Sequence, residues 1–270
     1  MSDLTDPFQA RFSGVARLFG QAGLERLRAA HVCVVGVGGV GSWAVEALAR
    51  SGVGALTLVD PDDVCVSNTN RQLPALEGGY GLAKVTALAE RVRAIHPDCR
   101  LLPLQEFFNE TSADRILGAG FAYVLDAIDS PAQKCRLIAG CRERGLPIFV
   151  TGGAGGRRDP TALRVADLAK STHDRLLAEV RSQLRKHHGF PGEGSLFGID
   201  CVYSPEPVVY PARDGGVCAQ REPGSELRLD CESGYGTACF VTGAFGFAAA
   251  GRIVQALAAG PAPAMGSSPA

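Results

Sequence analysis

What the chain lacks narrows its class before any motif is read. It lacks net charge: 27 Lys and Arg against 28 Asp and Glu leave −1, so no global field advertises nucleic acid and any basic surface is local. Its nine cysteines lack Cys-x-x-Cys spacing, which sets aside a disulfide framework and a structural zinc and leaves reduced thiols. The opening MSDLTDPFQA lacks the basic and apolar regions of a secretory signal, and the expectation is a cytoplasmic protein. The most apolar stretch, Ala238–Gly251, lacks charge for fourteen residues, short of the roughly twenty that cross a bilayer. A core or dimer helix is the preferred reading there, with peripheral or single-pass membrane association as the minority one.

What is present is organised around Val32–Asp60. A β-branched run (Val32 to Val35) enters a turn holding Gly36, Gly38, Gly39 and Gly41, then a helical pattern with Val45, Leu48 and Ala49 on one face. A second apolar run, Ala55 to Val59, ends on Asp60. Strand, glycine turn, helix and strand with an acid at the tip form a nucleotide-binding unit. The turn approaches phosphate closely, the helix N-terminus presents free N–H groups, and Asp60 accepts hydrogen bonds from a ribose.

The segment after Asp60 carries more donors than a plain dinucleotide fold requires. Ser67, Asn68, Asn70, Arg71 and Gln72 crowd one turn, and Lys84 opens a helix that Pro97 closes. A cation in a first helical turn opposes the helix dipole, so Lys84 implies an anionic partner. Arg71 and Lys84 together suit a triphosphate. Asp126 and Asp129 follow another apolar run, at the sheet edge where such folds bind ligands. Asp129 is the preferred Mg²⁺ ligand beside ATP, because that ion takes oxygen ligands; Asp126 is the candidate structural acid.

GVGGVG, VDPDDV, SNTNRQ, Lys84 and DAIDS, in this order and spacing, resemble the adenylating domain of ubiquitin-activating-type enzymes, which include activators of molybdopterin and thiamine sulfur carriers. The resemblance implies an α/β, Rossmann-like doubly wound sheet, parallel in its first half and more antiparallel in its second. It also implies ATP and Mg²⁺ as cofactors, with a carboxylate attacking the α-phosphate. Carried onto this sequence, Gly38–Gly41 flank the phosphates, with Gly36 in the same nucleotide-binding turn, and Asp60 binds the ribose. Ser67, Asn68, Asn70, Arg71 and Lys84 contact the phosphates, and Asp129 lies by the metal. Arg17 is a candidate for the family's arginine donated across a dimer.

The expected organisation is a flexible arm over 1–10, one adenylating domain over 11–259 and a disordered tail over 260–270. Within the domain, 11–151 would bind ATP and 152–259 would serve substrate and dimer. The second half holds the glycine run TGGAGGRR and a helix at Ser171–His188. That helix has an apolar face (Leu176, Leu177, Val180, Leu184) and a basic one (Arg175, Arg181, Arg185, Lys186). The basic face is either simply solvated or tracks an RNA backbone. Sulfur-carrier activators usually have paired zinc cysteines, which are missing here. Phrases such as RFSGVARLFG, TGGAGG, VADLAK and DCESGYG instead resemble the tRNA threonylcarbamoyladenosine dehydratase branch.

That likeness implies a tRNA bearing threonylcarbamoyladenosine as substrate, and the apolar last helix and N-terminal helix, with more apolar surface than one subunit covers, point to a homodimer. A sulfur-transfer protein is a further candidate partner. An activator of a ubiquitin-like sulfur carrier is the alternative function, and an NAD-dependent oxidoreductase is what the glycine motif alone would permit. The branch also supplies a cysteine matched by Cys231, which forms a thioester, lines the site or is structural. Asp230 and Glu232 beside it would raise its pKa, and Cys218 is the fallback.

Overall fold

The computed structural model of the chain describes residues 6–220 and 235–260. Seven strands form the main sheet: β1 (His31–Val35), β2 (Ala55–Val59), β3 (Arg100–Leu104), β4 (Tyr123–Asp126), β5 (Ile148–Thr151), β6 (Arg164–Asp167) and β7 (Asp200–Tyr203). Their order is β3-β2-β1-β4-β5-β7-β6, and every pair is parallel except β6 with β7. A small antiparallel pair, β8 (Tyr210–Pro211) and β9 (Val217–Cys218), stands apart. The expected progression from a parallel first half to a more antiparallel second half is present.

Among the described residues seven α-helices flank the strands: α1 (Pro7–Ala29), α2 (Gly41–Arg50), α3 (Lys84–Ile95), α4 (Glu110–Leu117), α5 (Pro131–Glu143), α6 (Arg175–His187) and α7 (Cys239–Ala259). Alternation along the strands feeds two cores. Val32 and Val34 face the side covered by α2, α3 and α7, while Cys33 and Val35 face the side of α4, α5 and α6. A continuous apolar run in a strand is what such double coverage requires.

α7 is long and apolar enough to cross a membrane, yet half of its most apolar window is buried inside the fold. It packs along α1 and α2, and Val241, Phe245, Ile253 and Val254 belong to the core. Gly246 permits the approach, because a Cβ there would stand 2.5 Å from the Val40 carbonyl oxygen.

Three boundaries differ from those read in the sequence. α1 starts at Pro7, so residues 6–10 are not a flexible arm: Asp6 accepts from the Phe8 N–H at 2.9 Å, and Phe8 and Phe12 pack with His96. The aromatic partner lies far along the chain, out of reach of local pattern. β7 ends at Tyr203, ahead of the proline-rich SPEP, and α6 begins only at Arg175, after Asp174 caps it. Residues 1–5 of the expected arm and residues 261–270 of the expected tail lie outside the described residues.

Candidate active site

The sheet order reverses between β1 and β4, and the chain leaves those neighbouring strands toward opposite sides. A crevice opens beyond their carboxyl ends, the place where open α/β sheets bind ligands. Here it is a cleft of about 1230 Å³.

The glycine turn forms its floor. Gly36 adopts φ +85°, and a Cβ at Gly41 would stand 1.9 Å from the Gly36 carbonyl oxygen, so the helix can begin directly against the turn. Gly36, Gly38 and Gly39 border the cleft; Gly41 does not, and its part is this close packing. Asp60, at the tip of β2, is buried and accepts from the backbone N–H of Val37 at 2.8 Å and of Asp62 at 3.0 Å. Each carboxylate oxygen retains a lone pair for a ligand. Burial pushes the Asp60 carboxyl up, against the pull of Lys84 and those two N–H groups.

Lys84 is buried at the start of α3, with Nζ 2.7 Å from Asp62 and 4.0 Å from Asp60. These acids offset the unfavourable helix dipole and hold the ammonium at the cleft wall. Arg71 is half-buried on the opposite turn, donating to the Ser67 carbonyl at 2.8 Å and to Asn70 Oδ1 at 3.0 Å. Its own carbonyl accepts from Trp43 Nε1 and Thr242 Oγ1, which fixes the turn against α2 and α7. Asn70 reaches the Thr237 carbonyl at 2.8 Å, while Asn68 is buried and accepts from the Cys65 N–H, shaping the turn from within. Ser67, Asn68, Asn70 and Arg71 all border the cleft.

The two acids after β4 separate into different environments. Asp126 is fully buried, paired with Lys134 at 2.9 Å and accepting from the Ile128 N–H at 3.0 Å. Burial pushes its carboxyl up, and Lys134 opposes that. Asp129 is exposed at the cleft edge. No group of three or more His, Cys, Asp or Glu suited to a metal occurs among the described residues, so a cation here would draw most of its oxygens from phosphate and water.

Three further cleft residues were given no site role by the sequence reading. Gln72 and Gln133 each leave a buried Oε1 without a partner, two acceptors open to the amino or hydroxyl donors of a ligand. Gln72 was within the donor-rich turn, and Gln133 sits in the first turn after DAIDS. Arg157, at the end of the glycine run, is the third. Arg11 and Arg17 stand exposed on α1 and do not border the cleft.

Cys231 lies outside the described residues. Cys218 is half-buried, its Sγ against the Gln220 carbonyl, and is not part of the cleft wall. Burial pushes the thiols of Cys141 and Cys201 up to about 12, which removes them as thiolate nucleophiles. On the basic face of α6, Arg185 stacks over Phe197 and Arg175 lies over Tyr210, so part of that charge also packs the fold.

Known proteins share this arrangement. The tRNA threonylcarbamoyladenosine dehydratase of Escherichia coli is 48% identical over 259 residues, covering 95% of this chain and 96% of that protein. The enzyme of the same name from Haemophilus influenzae is 44% identical, covering 93% and 95%. The structure of the E. coli tRNA N6-threonylcarbamoyladenosine dehydratase in complex with ATP superposes with a TM-score of 0.83 at 44% identity, covering 94% of this chain and 96% of that one. The ThiF family matches residues 12–261, nearly the whole length, and the chain belongs to that family.

Proposed function

We propose that the chain is an ATP-dependent tRNA threonylcarbamoyladenosine dehydratase, cyclising the modified adenosine next to the anticodon. The observation that carries this reading is the meeting, in one cleft at the strand-order reversal, of the glycine turn, Asp60, Arg71, Lys84 and Asp129. Near-full-length likeness to two dehydratases supports the substrate over a sulfur-carrier protein.

Hydroxide is a poor leaving group, so direct dehydration of the threonyl carboxylate is slow. ATP supplies an α-phosphate that takes a carboxylate oxygen as pyrophosphate leaves, converting that oxygen into part of AMP, a good leaving group. The carbamoyl group of the same side chain then attacks the acyl carbon, forming the ring bond and releasing AMP. Nucleophile and acyl group share one nucleotide, which makes closure effectively unimolecular. The chain's part is positional and electrostatic. Gly38 and Gly39 admit the phosphates against the backbone, Arg71 and Lys84 neutralise them, and Asp60 holds the ribose. Asp129 takes the Mg²⁺ that accompanies the triphosphate.

The tRNA would lie along α6, which leaves the cleft wall at Arg175 and ends in Arg185, Lys186 and His187, with His188 as its C-cap. Exposed Phe240 and Phe247 on α7 suit a homodimer contact. The test is incubation of the chain with ATP and tRNA carrying the modification, followed by mass spectrometry of the nucleosides. Loss of one water from the modified adenosine, with AMP and pyrophosphate formed, is expected. Unchanged tRNA together with ATP–pyrophosphate exchange that requires a small Gly-Gly-tailed protein would replace this reading with the sulfur-carrier one.

A further inference from the structure

Arg157 is the one described arginine in the cleft wall whose side chain is nearly all buried, at 4% exposure. Nη2 donates to the His173 carbonyl at 2.7 Å, while Nε and Nη1 are buried without any hydrogen-bond partner. The acids around it are committed elsewhere. Asp174 accepts from the Gly153 N–H at 2.8 Å and from the Leu177 N–H at 3.0 Å. Glu206 accepts from the N–H groups of Arg158 and Asp159 at 3.0 to 3.1 Å. Neither forms an ion pair with Arg157 among the described residues.

The surrounding backbone is built to hold this guanidinium. His173 is the sole described non-glycine residue with positive φ, at 57°, and its carbonyl is the one that anchors Nη2. Gly156 adopts φ +72° immediately before Arg157, where a Cβ would stand 2.4 Å from Val208. A buried cation lacking a counter-ion is costly, and the cost is relieved when an anion arrives with its own hydrogen-bond acceptors. Burial does lower the pKa of Arg157, with Asp174 and Glu206 opposing it at longer range; a guanidinium nevertheless stays charged.

The phosphate-facing cations, Arg71 and Lys84, lie on the turns that follow β2. Arg157 lies instead beyond β5, beside Asp174 and Tyr235, in the part of the cleft left to the second substrate. We infer that Arg157 receives an oxyanion of the RNA substrate, either the threonyl carboxylate or a backbone phosphate beside the modified adenosine. This rests on the dehydratase reading, and it assigns the end of the cleft at which the acyl substrate enters. A carboxylate held here is drawn out of water and toward the triphosphate despite their like charge.

The test compares two anticodon stem-loops, one with threonylcarbamoyladenosine and one with plain adenosine, by binding to the full chain. Arg157→Met matches the length of the side chain and removes its donors; Arg157→Lys keeps the charge and one anchoring donor, and serves if the first variant does not fold. Arg158→Gln, at an exposed neighbour, is the control. Arg157→Met should weaken the modified loop by about 10- to 100-fold, the range of a lost charged hydrogen bond, and Arg157→Lys should weaken it by less. Loss confined to the modified loop assigns the carboxylate; equal loss on both loops assigns the phosphate, and both outcomes support the inference. Wild-type binding of both loops, or a loss of ATP affinity alone, overturns it. Failure of the unaltered chain to form any cyclic nucleoside would instead overturn the dehydratase reading.

Discussion

Replacing Lys134 by methionine isolates the support beneath the cleft. Lys134 and Asp126 are both fully buried, with Nζ 2.9 Å from Asp126 Oδ1, and Asp126 Oδ2 has no hydrogen-bond partner. Methionine fills similar volume but strands the carboxylate, and breaking such a pair costs about 3–5 kcal/mol. That is a large share of the roughly 5–15 kcal/mol that holds a domain folded. The penalty has a pH signature. A stranded buried carboxyl has its folded-state pKa raised further above the unfolded value of about 3.9. The variant should therefore be most nearly normal where the carboxyl is protonated and lose stability as pH rises through the raised value. Urea unfolding across pH reads both effects. Lys134→Met combined with Asp126→Asn, which keeps an acceptor for the Ile128 N–H, should recover most of the loss at neutral pH. A single-variant cost below about 1 kcal/mol, or one independent of pH, would refute the reasoning.

Other outcomes follow from the same geometry. Gly41→Ala puts a methyl into the Gly36 carbonyl and should cost about 3 kcal/mol in unfolding experiments, with ATP binding lost even where the fold survives. Glu46, buried between Arg91 at 2.6 Å and Arg50 at 2.7 Å, feels burial raising its pKa but is held below its ordinary value by those hydrogen bonds. It contributes stability above pH of about 4.3, lost as pH falls through its folded value. Both arginines are substantially exposed, so Glu46→Gln should remove no more than about 1 kcal/mol at neutral pH and flatten the acid limb of the stability curve. Cys231→Ser separates the thiol's roles: AMP release without cyclic nucleoside supports a thioester, and both products at unaltered rates eliminate it.

The nucleotide half was legible because its signals are local. The strand, the glycines, the helix and Asp60 lie within thirty residues, and each constrains the next by backbone geometry alone. The split between Asp126 and Asp129 was also readable, since the residue nearer the strand end is the one the sheet buries. The Lys134 partner was not, because a lysine in a helix pattern gives no sign of pointing inward. Phe8 was hidden for a related reason: its burial depends on His96, which reaches it only through the tertiary fold. Arg157 was visible as one of two arginines after a glycine run. Which of the two turns inward depends on the His173 carbonyl and on Glu206 holding the Arg158 backbone, and neither is encoded nearby.

The central claim, that the carboxylate is activated by taking an adenylyl group from ATP, has a direct tracer. tRNA whose threonyl carboxylate carries heavy oxygen at both positions is incubated with the chain, unlabelled ATP and Mg²⁺. One labelled oxygen should stay in the cyclic nucleoside as its new carbonyl, and the other should appear in the phosphate of AMP. Label in inorganic phosphate with ADP as co-product, or label released only to water, would contradict adenylation as the chemistry of this cleft.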